Sequence, residues 1–137
     1  MIKEKFVIPM VMLLSMTVSD AKAQNPEGEK TEDKLVVVWT SGDPYVAERV
    51  ALMYTHNAKK KGWFQYVTLV IWGPSAKLIS EDVKLQEEVE SMKKDGVVVE
   101  ACIACANAYG VTEELKKLGY DVKGMGLPLT EYLKTGA

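Results

Sequence analysis

The chain has two cysteines, and both fall in one stretch, Val97-Val98-Val99-Glu100-Ala101-Cys102-Ile103-Ala104-Cys105-Ala106-Asn107-Ala108-Tyr109-Gly110. A β-branched run leads straight into Cys-x-x-Cys, which puts the thiols where a strand gives way to a helix. The first turn of a helix offers unpaired backbone N–H groups and the positive end of the macrodipole. Both favour thiolate, the form of cysteine that attacks sulfur. Three classes of behaviour follow. In sulfur transfer, a Cys102 thiolate attacks sulfane sulfur and Cys105 resolves the adduct. In dithiol–disulfide redox chemistry, the i to i+3 spacing lets the pair close reversibly in an oxidising compartment. In a non-enzymatic oligomeric binding module, the cysteines are a structural bridge or buried apolar thiols.

Other chemistries find little material. A closed zinc site needs about four ligands, and the chain offers two cysteines and one histidine, so neither a metal nor any other cofactor is expected. Ala106 stands where a covalent haem motif requires histidine. His56 falls late in a helix, off its apolar face, as a surface residue. No phosphate loop, dinucleotide fingerprint or nucleophilic serine motif is present.

The elements that must position the thiols alternate. Leu35-Val36-Val37-Val38-Trp39-Thr40 and Val67-Thr68-Leu69-Val70-Ile71-Trp72 are apolar runs without polar alternation, the pattern of parallel strands buried on both faces. After the first, Asp43 is an N-cap and Pro44 a first helical residue, with Val46, Val50, Met53, Tyr54 and Ala58 as the apolar stripe of a helix ending near Lys59-Lys60-Lys61-Gly62. After the second, Ser80 caps a helix running to about Lys94 on Val83, Leu85, Val89 and Met92. The third strand, Val97 to Ala101, delivers Cys102. A short helix carries Cys105 to Tyr109, and Thr112 caps another through Leu118. Val122 to Met125 is a brief fourth strand, and Leu129 to Lys134 a closing helix. Such alternation predicts right-handed crossovers and helices on both faces of the sheet. Sites in these folds collect at the carboxyl ends of strands. That rule groups Ser41, Gly42 and Asp43, then Gly73, Pro74 and Ser75, then Asn107 and Gly124, around the thiols as pocket residues. Asp43 is also an ordinary helix cap, Asn107 an ordinary helix hydrogen-bonder, and Gly-Pro-Ser ordinary turn chemistry. Trp39 and Trp72 end strands and are core residues first.

The N-terminus has the form of an export signal. Lys3 and Lys5 precede an apolar core from Phe6 to Val18, and Ala21-Lys22-Ala23 is a small-residue cleavage site. Cleavage after Ala23 removes a segment of net charge +1 and moves the formal charge from −2 to −3. The expected mature protein is periplasmic or otherwise exported, and free of the membrane. A mild acidic balance argues against nucleic acid, which usually leaves a basic footprint. Residues 24–33 form a polar leader without an apolar anchor. Residues 34–137 are then a single domain.

Three blocks together resemble small DsrE-type proteins of the DsrE/DsrF/DsrH superfamily. They are Ile71-Trp72-Gly73-Pro74-Ser75, Ala101 through Val111 with both cysteines, and Met125-Gly126-Leu127-Pro128-Leu129-Thr130-Glu131-Tyr132-Leu133. The resemblance implies a three-layer α/β/α fold with a mostly parallel sheet of about four to five strands. It also implies assembly into homotrimers or hexamers, and persulfide sulfur passed through one cysteine between donor and acceptor proteins. Counting eight residues back from Gly110, as in the relay proteins, points to Cys102. The Cys-x-Asn pattern of other relatives points to Cys105, followed by Ala106-Asn107. The chain departs from the relay proteins in its export signal and in lacking their arginine-rich helix after the cysteine.

Overall fold

A computed structural model of the protein describes residues 33–136. The expected signal at 1–23, nearly all of the leader and Ala137 lie outside the described residues. Four parallel strands, β1 (Lys34–Trp39), β2 (Tyr66–Ile71), β3 (Val98–Cys102) and β4 (Asp121–Lys123), lie side by side in chain order. Their register pairs Trp39 with Ile71, Ile71 with Ala101, and Cys102 with Lys123.

Sequential order with repeated crossovers of one hand sends every connecting helix to the same face. The main core shows this. Trp39, Leu69, Ile71, Val99 and Ala101 from one sheet face meet Leu52 and Ala58 from the first crossover, Ile79, Leu85, Val89 and Met92 from the second, and Ala106 and Leu115 from the third. The other face carries Val36, Val70 and Cys102, and packs against Met125 and Tyr132 from the C-terminal segment. The sheet is thus the middle of three layers, as expected, with its second face covered only in part, by a single helix, α7 (Gly126–Thr135), which leaves Val38 and Val98 exposed. Among the described residues, no helix is long and apolar enough to cross a membrane.

The first crossover is one continuous helix in which a turn, α1 (Pro44–Val46), and the closing stretch, α2 (Met53–Lys60), flank a π-helical segment at Ala47–Leu52. Asp43 caps it as expected, accepting from the N–H groups of Tyr45 at 2.7 Å and Val46 at 3.3 Å. The expected apolar face is corrected except at Ala58, which is buried. Ala47, Leu52, Thr55 and Ala58 face the sheet, while Val46, Val50, Met53 and Tyr54 are exposed. Two stripes on this helix satisfy helical spacing, and the sheet accepts the smaller one. Thr55 fits there because its hydroxyl donates to the Ala51 carbonyl at 2.7 Å.

Two expected caps are also corrected. Helix α3 (Pro74–Glu81) begins immediately after Gly73, so Ser80 is interior and donates to the Lys77 carbonyl. Asp82 is the residue that caps α4 (Val83–Lys94), accepting from Leu85 N–H. Likewise Val111 precedes α6 (Thr112–Lys117), and the Thr112 hydroxyl turns to Asn107 instead of to a backbone N–H. The fourth strand begins one residue earlier than expected and ends two earlier, and the closing helix starts three residues earlier, at Gly126.

Candidate functional site

Cys102 ends β3 and stands at the N-cap of α5 (Ile103–Tyr109), and Cys105 lies in that helix's first turn. Strand alternation decides where the first thiol goes. Leu69, Ile71, Val99 and Ala101 take the helix-covered face, so Cys102 takes the other, where it packs with Val70 and Met125 and is 5 % exposed. Cys105 touches both cores and is partly exposed. Both cysteines are free thiols and lie in the same small cluster.

The loop after β2 supplies the next contact. Gly73 adopts φ 71°, ψ −139°, a conformation open to glycine and costly for other residues, and its N–H donates to the Cys105 sulfur. A Cβ at Gly73 would meet only the Thr40 carbonyl at 3.9 Å, so the demand is conformational and not steric. Gly73→Ala is expected to lower stability by about 1–3 kcal/mol, read from urea unfolding.

The loops after β1 and β2 are tied together. The Ser75 hydroxyl bridges the Trp39 and Trp72 carbonyls and accepts from Trp72 N–H at 3.1 Å. Pro74 approaches so closely that a Cβ on Gly42 would lie 3.1 Å from the proline Cβ. Ser41 accepts from Asp43 N–H, and Asp43 is occupied in capping. Gly42 and Pro74 line a shallow cleft of about 270 Å³ with Lys77, Leu78, Glu81 and Tyr109. The strand-end grouping therefore brings Gly73, Pro74 and Ser75 against the thiols' side of the molecule, with Ser41, Gly42 and Asp43 behind them. Asn107 stands apart, its side chain accepting from Thr112 at 2.6 Å, and a Cβ on exposed Gly124 would meet nothing within 4 Å. The fourth loop contributes its neighbour Met125 instead.

Electrostatics at Cys105 run against the helix-terminus expectation. Burial pushes its thiol above the ordinary value of 9.0; the Gly73 N–H opposes this, and the hydrogen bond and charge of Cys102 add to it. Desolvation outweighs one amide donor. Alkylation with iodoacetamide is expected to label Cys105 ahead of Cys102, because only Cys105 is reachable. Its rate should rise at a pH above that of an unperturbed thiol. Faster labelling of Cys102 would contradict the arrangement.

A buried polar cluster beside Cys102 was not anticipated. Glu100, two residues earlier on the same face, is 5 % exposed; Lys123 donates to its Oε1 at 2.7 Å and the Tyr132 hydroxyl lies 3.0 Å from both oxygens. Lys123 also reaches Asp121 at 2.6 Å, and these two carboxylates raise its pKa while burial opposes. In Tyr132, burial and then Glu100 raise the phenol. The signal was a lone glutamate inside a β-branched run, which a strand buried on both faces tolerates only with a partner. His56, read as a surface residue, binds Asp95 at 2.6 Å far from the thiols.

The profile of the DsrE/DsrF-like family matches residues 33–136. Among curated proteins, none matches the chain. A solved structure of a conserved protein of unknown function from Bacteroides thetaiotaomicron superposes with a TM-score of 0.73 at 38 % identity, covering 76 % of this chain and 90 % of that one. A strand delivering Cys-x-x-Cys beside a Gly-Pro-Ser turn, in a parallel four-stranded sheet matched along its whole described length, makes this chain a member of the DsrE/DsrF-like family.

Proposed function

We propose that the protein is an exported carrier of sulfane sulfur, held as a persulfide on Cys105, with Cys102 as the second thiol that discharges it. The carrying observation is the placement of Cys105 in the first turn of α5, where the thiol is partly exposed and the Cys102 thiol lies in the same cluster. Membership in a sulfur-relay-like family supports the chemistry, and the export signal at 1–23 supports the location.

In loading, the Cys105 thiolate attacks the outer sulfur of a donor persulfide, R–S–SH. A Cys105–S bond forms, the donor S–S bond breaks, and R–S⁻ leaves as a thiol on taking the proton that Cys105 gave up. Unloading has two routes. An acceptor protein's thiolate takes the outer sulfur and returns Cys105 to a thiol. Alternatively Cys102 attacks the inner sulfur, expelling hydrosulfide and leaving a Cys102–Cys105 disulfide. The order differs from the sequence expectation, in which Cys102 attacks first, because Cys102 is enclosed and Cys105 is not.

A second reading, dithiol–disulfide exchange, is favoured by the placement of both thiols in one small cluster. Cyanide separates the two, since it removes only sulfane sulfur, as thiocyanate. Protein loaded from a persulfide donor and freed of excess reagent is expected to yield one thiocyanate per chain. The Cys102→Ser variant should yield the same and lose its sulfur as sulfide more slowly. A Cys102→Ser variant that gives no thiocyanate after loading would favour the redox reading.

A further inference from the structure

One helical turn beyond Cys105, α5 carries Tyr109 on the same side of the helix, at the i+4 position. Tyr109 is 41 % exposed and forms one wall of the cleft of about 270 Å³ that Gly42, Pro74, Lys77, Leu78 and Glu81 complete. Helix α3, which supplies Pro74 through Glu81, packs against α5, so the cleft opens beside the thiol that the carrier reading loads. Pockets for drug-sized ligands run to roughly 300–1,000 Å³. This one is smaller, and its occupant is a small molecule.

The charges in the cleft say which kind. Lys77 and Glu81 stand at i and i+4 on α3, a spacing that sets Cβ atoms about 5–6 Å apart. Lysine ahead of glutamate is the poorer order for pairing along a helix. Neither head group makes an ion pair or hydrogen bond among the described residues. A cation and an anion held side by side without pairing match a zwitterion, whose carboxylate meets the Lys77 ammonium and whose ammonium meets the Glu81 carboxylate. A side chain at position 42 would crowd the cleft, since a Cβ on Gly42 would lie 3.1 Å from that of Pro74. We propose that the cleft holds the α-amino acid head of a small persulfide donor, with the sulfur arm directed back along α5 by about 6 Å, four residues of helix, to Cys105. The Cys105 thiolate takes the outer sulfur, the donor S–S bond breaks, and the free amino-acid thiol leaves with the proton that Cys105 gave up. The inference rests on the carrier reading and adds to it the class of donor.

Initial rates of Cys105 loading from matched donors test it. The donors are the persulfides of cysteine, of mercaptopropionate, which lacks the ammonium, and of cysteamine, which lacks the carboxylate. Wild-type protein is expected to reach half-saturation at the lowest concentration with the cysteine donor. Lys77→Met should raise the half-saturating concentration of the two carboxylate-bearing donors about fivefold relative to the cysteamine donor, the upper end for a charge pair in an open cleft. Glu81→Gln should do the same to the two ammonium-bearing donors relative to the mercaptopropionate donor. Equal half-saturation of the wild type by all three donors overturns the proposal and leaves the carrier reading standing, as does a variant whose effect ignores the charge of the donor. Absence of loading from every donor, inorganic polysulfide included, overturns the carrier reading and this proposal with it.

Discussion

Cys105→Ser is expected to abolish sulfur loading, while Cys102→Ser loads as the wild type does. The asymmetry follows from strand alternation. Cys102 occupies the last position of β3 on the face shared with Val70 and Met125, and its thiol sits in that small core. Cys105, three residues on, is carried by the first helical turn to the junction of the strand-end loops, partly open to solvent and against the Gly73 N–H. A donor as bulky as a protein persulfide must bring its outer sulfur into line with the attacking thiolate, and only Cys105 permits that approach. The thiol carries a raised pKa, so loading is expected to accelerate with pH through the thiol range. Loading by Cys105→Ser, or its loss in Cys102→Ser with the fold intact, would return the leading role to Cys102.

Lys123→Met is expected to destabilise the protein by about 2–4 kcal/mol. The loss belongs to the carboxylate left behind. Glu100 is enclosed by the sheet and α7, and its stabilising contacts are the Lys123 ammonium and the Tyr132 hydroxyl. Removing one partner of a buried pair typically costs 3–5 kcal/mol. The lower figure allows for water reaching the partly exposed lysine side. Removing both charges is a different case, because no ion then remains buried, and Glu100→Leu with Lys123→Met should recover most of the stability. Denaturant unfolding of the two variants provides the check: equal losses in both would mean that the ion pair is not what the lysine contributes.

Local signals carried much of the architecture. The unbroken apolar runs at Leu35–Trp39 and Val67–Ile71 both form parallel strands, but only the second is buried, because β1 is the sheet's edge and leaves Val38 39 % exposed. Asp43-Pro44 marked a helix start that the structure keeps, and Cys-x-x-Cys fell at the junction of β3 and α5 where the pattern placed it. What was illegible depended on partners distant in the chain. Glu100 meets residues 23 and 32 positions away, which no local window pairs. The face of the first helix that turns inward was set by the sheet beneath it, since both stripes had helical spacing. Ser80 and Thr112 had the right type for caps but not the right place, because a positive-φ glycine at 73 had already started α3 and Asn107 engaged the Thr112 hydroxyl. At the site, the grouping of strand-end loops was readable, while the direction of the Cys105 pKa was not, because burial exceeded the helix-terminus effect.

The most direct test of sulfur carriage is the intact mass of reduced protein after exposure to a persulfide donor and removal of excess reagent, followed by peptide mapping. The account predicts a gain of one sulfur atom, located on Cys105. No added sulfur on the Cys102→Ser variant, in which Cys105 has no second thiol to discharge it, would contradict it.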